Sequence, residues 1–196
     1  MAQAKKHLLV LSDLPKEWSV EKGTSGSGGS GGFPGGSQLA SCIGVPASVI
    51  NDNSPSSTGP YYQNKGQTLE VQDSVTVFPS ASYARTEFAA MANPKTPGCM
   101  ATLMNGPGKS AFGAQKGETV GTITVTSLAP KVYGPDVVGI VMNLPITYEG
   151  VTMPTQLISV NGVRGRFGQS ITYDSYGIDF PGSLAKHLDS VALHRL

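Results

Sequence analysis

Residues 137–173, VVGIVMNLPITYEGVTMPTQLISVNGVRGRFGQSITY, decide the fold. The stretch is rich in Val, Ile, Leu and Thr and is interrupted by Glu149-Gly150 and Asn161-Gly162. Asn-Gly flanked by alternating apolar residues is the strongest short-range signal for a two-residue hairpin turn. Leu157–Val160 and Val163–Phe167 are therefore expected to pair across Asn161-Gly162. Glu149-Gly150 likewise separates 137–148 from 151–160, and the two turns together predict a three-stranded antiparallel meander.

Register is tested by asking which pairing gathers the apolar residues on one face. A two-residue turn at Asn161-Gly162 puts Ile158, Val160, Val163, Phe167, Ile171 and Tyr173 together. A second two-residue turn at Glu149-Gly150 would send Ile140, Met142, Leu144, Ile146 and Tyr148 to the opposite face. A three-residue loop with Gly150 left-handed restores them all to one side. A longer turn or a bulge near Gly150–Pro154 is therefore expected.

Upstream, Leu69, Val71, Val75 and Val77 share one parity and predict a strand over 68–78. Asp73 falls on that apolar face, which calls for a bulge or a satisfied carboxylate. Pro79-Ser80 opens a helix over Ala81–Ala92 with Ala84, Phe88 and Met91 on one stripe, and Asn93-Pro94 ends it. Residues 98–104 read as a helical turn and 119–128 as a half-exposed strand. Nearer the start, 3–13 reads as a helix, Glu17–Lys22 as a short strand around Trp18, and 38–43 as a helical turn. Residues 44–66 read as largely irregular, with Pro46, Pro55, Pro60 and Tyr61-Tyr62. Ser183–Leu196 is an amphipathic helix with Leu184, Leu188, Val191 and Ala192 on one stripe, started by Pro181-Gly182-Ser183. Helices before and after a mostly antiparallel sheet mean α+β. Residues 1–196 are expected to form one domain. Gly23–Ser37, with eight Gly and four Ser, reads as a flexible loop within it.

The chain has 196 residues, with 14 Lys and Arg against 13 Asp and Glu. Net charge +1 leaves no electrostatic footprint for nucleic acid or an anionic membrane. Charged residues are only 14% of the chain, and Ser, Thr, Gly and Asn fill the deficit, a composition more typical of exported proteins. Apolar runs are too short for a transmembrane segment. Lys5-Lys6 precede only Leu8–Leu11 before Ser12-Asp13-Leu14-Pro15, so no export signal is present. Either the protein is cytosolic, or it is an exported one whose leader has been removed. Composition and the cysteines favour the second.

Cys42 and Cys99 are too far apart for CxxC chemistry, and His7, His187 and His194 are too scattered to complete a zinc site. Two readings of the pair stand: two buried thiols, or one disulfide closing a long loop. Turn residues beside both cysteines, in Ser41-Cys42-Ile43-Gly44 and Pro97-Gly98-Cys99, favour the disulfide.

Most motif matches carry no chemistry. Gly26–Gly31 fits GxGxxG and Gly28–Gly32 fits GxSxG, but any run this rich in Gly will match, and no βαβ unit follows. Gly108-Lys109-Ser110 resembles the end of a P-loop, with Leu103 where the first Gly belongs. Paired carboxylates for glycoside chemistry are not visible, because Asp136, Glu149, Asp174 and Asp179 sit in expected turns. One polar constellation remains. Arg164 and Arg166 share parity with Gly168, Ser170 and Thr172, opposite the apolar face, and two guanidiniums so placed suit an anionic group. Tyr61 and Tyr62 in their Pro-rich segment either rim a binding surface or anchor the loop to the core.

Several phrases add a resemblance: Leu11-Ser12-Asp13-Leu14-Pro15-Lys16-Glu17-Trp18, Leu39-Ala40-Ser41-Cys42-Ile43-Gly44 and Val75-Thr76-Val77-Phe78-Pro79-Ser80-Ala81. Pro97-Gly98-Cys99 and the helix closing on Arg195-Leu196 belong with them. In these the chain resembles mycobacterial-type secreted proteins and lipoproteins of the actinobacterial envelope, sometimes described as sensor-like domains. The resemblance implies an antiparallel sheet flanked by helices, similar to the Mog1/PsbP-like architecture. It also implies a Cys42–Cys99 disulfide. It implies no activity. No lipobox cysteine stands near the start of the chain.

The function these observations favour is a non-enzymatic, extracytoplasmic binding or interaction domain of the cell envelope. Its expected partner is a small apolar or amphipathic ligand, or another envelope protein, with no cofactor. Two alternatives come from other classes. One is a hydrolase whose Ser, His or carboxylate site assembles only in the fold. The other is a structural ectodomain of a membrane-anchored chain.

Overall fold

The computed structural model describes residues 2–21, 35–106, 117–128 and 136–196. With strands and helices numbered in chain order, the meander is β7 (Val137–Tyr148), β8 (Val151–Arg164) and β9 (Phe167–Tyr176). Beyond β9 lies β4 (Leu69–Val77), antiparallel and in unbroken register from Leu69 opposite Ser175 to Val77 opposite Phe167. Short strands complete the sheet: β1 (Ser19–Val20), β2 (Ser56–Thr58), β3 (Tyr62–Gln63), β5 (Glu118–Val120) and β6 (Thr124–Leu128). The order is β1-β3-β4-β9-β8-β7-β5, with β2 also on β4 and β6 also on β7. Every pairing is antiparallel. With helices on both sides of the sheet, the fold is α+β.

The expected long turn at Gly150 does not form. Tyr148 pairs with Val151, so Glu149-Gly150 is a two-residue loop, and both residues have positive φ, 49° and 80°. That is the backbone of a primed turn, which matches the strand twist. Its consequence is the one the sequence argument tried to avoid. Ile140, Met142 and Leu144 lie on the opposite face from Val160, Ile171 and Tyr173, because side chains alternate along each strand. Both faces are nevertheless buried. One packs with α6 (Gly182–Arg195) and the N-terminal segment around Leu9, Trp18, Val71, Tyr173, Phe180 and Leu188. The other packs with α2 (Gly36–Ile43) and α5 (Thr96–Asn105) around Leu39, Met100, Leu103, Ile140 and Met142. The premise of a single buried face was the error.

Asn161-Gly162 is not a turn either. Arg164 pairs with Phe167, so the turn is Gly165-Arg166, with Gly165 at φ 59°. Asn161 and Gly162 lie inside β8, opposite Ser170 and Gln169. Here the glycine serves close approach rather than a bend. A Cβ at Gly162 would come within 2.2 Å of Leu193 Cδ2 on α6. The Asn161 amide meanwhile donates to Ser159 Oγ at 3.0 Å. Gly162→Val is expected to destabilise the fold by about 2 kcal/mol through overpacking against α6. Gly98→Ala, in a helix with open space at Cβ, should gain about 0.5 kcal/mol. Urea denaturation of the two variants side by side checks both signs.

The N-terminal helix expected over 3–13 shrinks to α1 (Ala2–Lys5) and a 3-10 turn at Leu11–Asp13. Tertiary hydrogen bonds take the backbone groups a helix would have used. Leu9 N–H donates to Asp73 Oδ2 at 2.9 Å, and the Leu9 carbonyl accepts from Tyr62 Oη at 2.9 Å. Arg195 donates to the Leu8 carbonyl and makes a bidentate pair with Asp13 at 2.7 and 2.8 Å. Smaller corrections follow from edge positions. Residues 44–66 hold α3 (Ala47–Ile50), β2 and β3, and 119–128 splits into β5 and β6 where Gly121 N–H donates to the Pro145 carbonyl. The strand around Trp18 is reduced to β1. The expected helix at 81–92 is α4 (Ala81–Met91), opened by Ser80 Oγ accepting from Tyr83 N–H at 3.1 Å.

Candidate functional site

Helix α4 lies across β8 and β9. Its inward stripe is Ala84, Phe88 and Met91, joined by Glu87. Beneath it the strands present little bulk. Gly168 has no room for a Cβ, which would meet Phe78 Cε2 at 2.6 Å, and Ser170 and Asn161 flank it. A helix laid on so small-sided a floor does not fill the space below it. A groove of about 150 Å³ remains, walled by Phe78, Phe88, Met91 and Val163 and floored by the polar atoms of Thr76, Asn161 and Ser170.

Among the described residues Glu87 is the one ionisable side chain in this groove, and no Lys, Arg or His lines it. Burial, and then the nearby Asp52 carboxylate, push its pKa up to about 8. Asp52 is itself held in place by the Ser54 N–H at 3.0 Å and the Tyr83 hydroxyl at 3.2 Å. The site thus combines aromatic walls, neutral acceptors and one carboxyl that has no cation beside it among the described residues. Sequence reasoning missed Glu87, although a signal existed: it occupies a position on the apolar stripe of an amphipathic helix.

A larger cleft of about 470 Å³ opens near the β7–β8 strands, lined in part by Thr124, Asn143, Gln156, Ile178 and Asp179. Its amides satisfy one another, Gln156 donating to Asn143 at 3.0 Å and Asn143 to Thr124 at 3.3 Å. Among the described residues Thr155 also lines it, its buried Oγ1 without a hydrogen-bond partner, but unlike the α4 groove this cleft has no aromatic lining.

Arg164 and Arg166 do not form a pair on a polar sheet face. Arg164 ends β8 opposite Phe167, on the other face from Gly168 and Ser170, and Arg166 stands in the turn; both are exposed. The misplaced turn at Asn161-Gly162 put them there. Tyr62 is a core anchor at 3% exposure, while Tyr61 is half-buried, its hydroxyl pKa raised by burial and by the Asp174, Glu70 and Glu21 charges. Asp174, expected in a turn, is in β9 directly across from Glu70 on β4. Burial and the Glu70 charge push Asp174 up to about 7, and Tyr176 Oη donates to Glu70 at 3.2 Å. The histidines stay apart. His7 sits with Nδ1 at the Arg195 carbonyl and its ring 5.1 Å from Phe167, and His187 and His194 are exposed on α6. Of the Gly/Ser run expected as a loop at 23–37, Gly36 and Ser37 belong instead to α2, with Gly35 as its cap; residues 23–34 and the Gly108-Lys109-Ser110 match lie outside the described residues.

Cys42 on α2 and Cys99 on α5 form a disulfide with Cα atoms 5.9 Å apart. Among the described residues no helix is long and apolar enough to cross a membrane, and no group of His, Cys, Asp or Glu is arranged to hold a metal ion.

The chain matches no family model, and no curated protein matches it in sequence. In shape it is similar to the extracellular domain of PknH from Mycobacterium tuberculosis. The two share 12% identity and a TM-score of 0.45, over 97% of this chain and 95% of that one. The likeness is one of overall outline.

Proposed function

We propose that this protein is a non-enzymatic, extracytoplasmic binding domain that holds a small amphipathic ligand between α4 and the sheet. The groove carries the reading: about 150 Å³ left open, with aromatic walls and a polar floor. An apolar cavity of comparable size accommodates a benzene-sized molecule. The disulfide supports an oxidising compartment, since such bonds persist outside the cytosol. The low proportion of charged residues points the same way. So does the resemblance of the quoted sequence phrases to mycobacterial-type envelope domains.

The test is native mass spectrometry on protein recovered without reductant from an oxidising compartment, paired with an NMR titration using benzyl alcohol as a neutral probe. Expected are the disulfide-bonded mass, an adduct lost on denaturation, and saturable shifts at Ala84, Met91 and Ser170. Ala84→Trp, which fills the groove from α4, should abolish those shifts. Free thiols, or benzyl alcohol shifts unchanged by Ala84→Trp, would overturn the proposal.

A further inference from the structure

Resting on the reading of the α4 groove as a ligand site, we propose that its ligand is a monocationic amine with a compact apolar body, held by the Glu87 carboxylate. Three observations carry this. First, among the described residues Glu87 is the one ionisable group lining the groove, and no side-chain cation lines it beside the carboxylate. The salt bridge found among the described residues is elsewhere, between Arg195 and Asp13. Second, the other polar residues in the lining, Thr76, Asn161, Gln169 and Ser170, are all neutral and carry oxygens able to accept the remaining N–H bonds of an ammonium. Third, the aromatic rings of Phe78 and Phe88 are part of the lining and suit an apolar body beside the charge.

The electrostatics disfavour the opposite charge. A carboxylate-bearing ligand would bring a further negative group toward Asp52 and would disfavour the ionised form of Glu87 still more. A neutral ligand would leave the half-buried carboxyl as it is, with its ionised form disfavoured by burial and by Asp52. An ammonium removes that penalty by supplying the missing counter-charge, and a partly desolvated charge-assisted hydrogen bond is among the stronger polar contacts. Volume sets the size: a ring or a short branched chain, not a polycyclic or long-chain amine.

The experiment is a protein-observed NMR titration at pH 8 with benzylammonium, benzyl alcohol and benzoate. Nα-acetyl-lysine N-methylamide forms a fourth arm. Benzylammonium is expected to shift Ala84, Met91 and Ser170 saturably and to bind about tenfold or more tightly than benzyl alcohol, with benzoate inert. Glu87→Gln should bring benzylammonium to within about twofold of benzyl alcohol, and an unchanged denaturation midpoint with unshifted amide resonances outside the groove shows that the variant is folded. Benzylammonium preferred over the lysine derivative identifies a free amine, and the reverse identifies a lysine side chain. If benzyl alcohol binds as well as benzylammonium, or if Glu87→Gln keeps the preference, the amine assignment fails while the groove stands. If no probe shifts the groove residues, both fall.

Discussion

Reducing the Cys42–Cys99 bond is expected to lower the unfolding free energy by about 4 kcal/mol. The two cysteines are 57 positions apart. Closing a loop of that length removes far more freedom from the unfolded chain than from the folded one. The enclosed segment runs through α3, β2, β3, β4 and α4, so the bond constrains an inner strand of the sheet and the helix that roofs the groove. In the folded state it joins α2 to α5 beside Leu39, Ile43, Met100 and Leu103. Denaturant titration of the oxidised protein, the reduced protein and Cys42→Ser/Cys99→Ser separates two contributions. The double variant should lie about 1 kcal/mol below the reduced protein, because Cys99 is buried and a serine hydroxyl costs more to desolvate there than a thiol. A drop below about 1 kcal/mol on reduction would show that the unfolded chain is already compact, and that loop closure is not what the bond supplies.

The elements that were legible in the sequence are those whose signal is local. The alternation of Leu69, Val71, Val75 and Val77 needs no knowledge of neighbours, and β4 matches it to within a residue at each end. Ser80 and Asn93 bracket α4 by capping and stopping chemistry that acts within one turn of helix. What failed depended on layers. Asn161-Gly162 looks the same whether the glycine makes a bend or makes room, and only the arrival of Leu193 from α6 distinguishes them. Glu149-Gly150 was reasoned into the wrong length because one face of the meander was assumed to be wet. The second cluster, built by α2 and α5, makes that face dry as well. The N-terminal segment kept a helical pattern in sequence, yet its carbonyls and amides are claimed by Asp73, Tyr62 and Arg195, distant by 64, 53 and 187 positions. The site followed the same rule. Glu87 is an anomaly on an apolar stripe, but its meaning depends on Asp52 and on a floor of Gly168 and Ser170 that no local pattern brings beneath it.

Stability is expected to fall as pH rises from about 4 to about 6, and Asp73 is the cause. This carboxyl is 1% exposed on the apolar face of β4, and burial pushes its pKa up to about 6. The Leu9 N–H, the Gln169 amide at 3.2 Å and the Arg195 charge all favour the ionised form but do not offset burial. Its Oδ1 has no hydrogen-bond partner among the described residues and lies where a Cβ on Gly59 would come within 2.6 Å. The unfolded chain releases this proton near the ordinary 3.8, whereas the folded chain retains it up to about 6. Between those values the folded state binds more protons, so each step up in pH favours unfolding. A shift of that size corresponds to about 3 kcal/mol, fully lost above pH 6. Glu87 and Asp174, raised to about 8 and about 7, carry the decline onward with the same sign. Asp13 acts oppositely and outside this window. Burial, the largest single influence, pulls its pKa up, but the hydrogen bonds from Arg195 and the Val10 N–H together with the Arg195 and His187 charges outweigh it and leave the pKa lowered, so its stabilisation is lost only below about pH 4. In denaturant titrations from pH 4 to 8, Asp73→Asn should flatten the decline between 4 and 6 and leave the later part intact. Asp73→Ala, which strands the Leu9 N–H and the Gln169 amide, should cost about 3 kcal/mol at pH 4, where the native carboxyl is protonated and charge plays no part. A wild-type profile that rises over pH 4–6, or an Asp73→Asn profile that runs parallel to it, would remove Asp73 from the account. The residue that breaks the alternation of β4 would then need a reason other than holding Leu9 against the sheet.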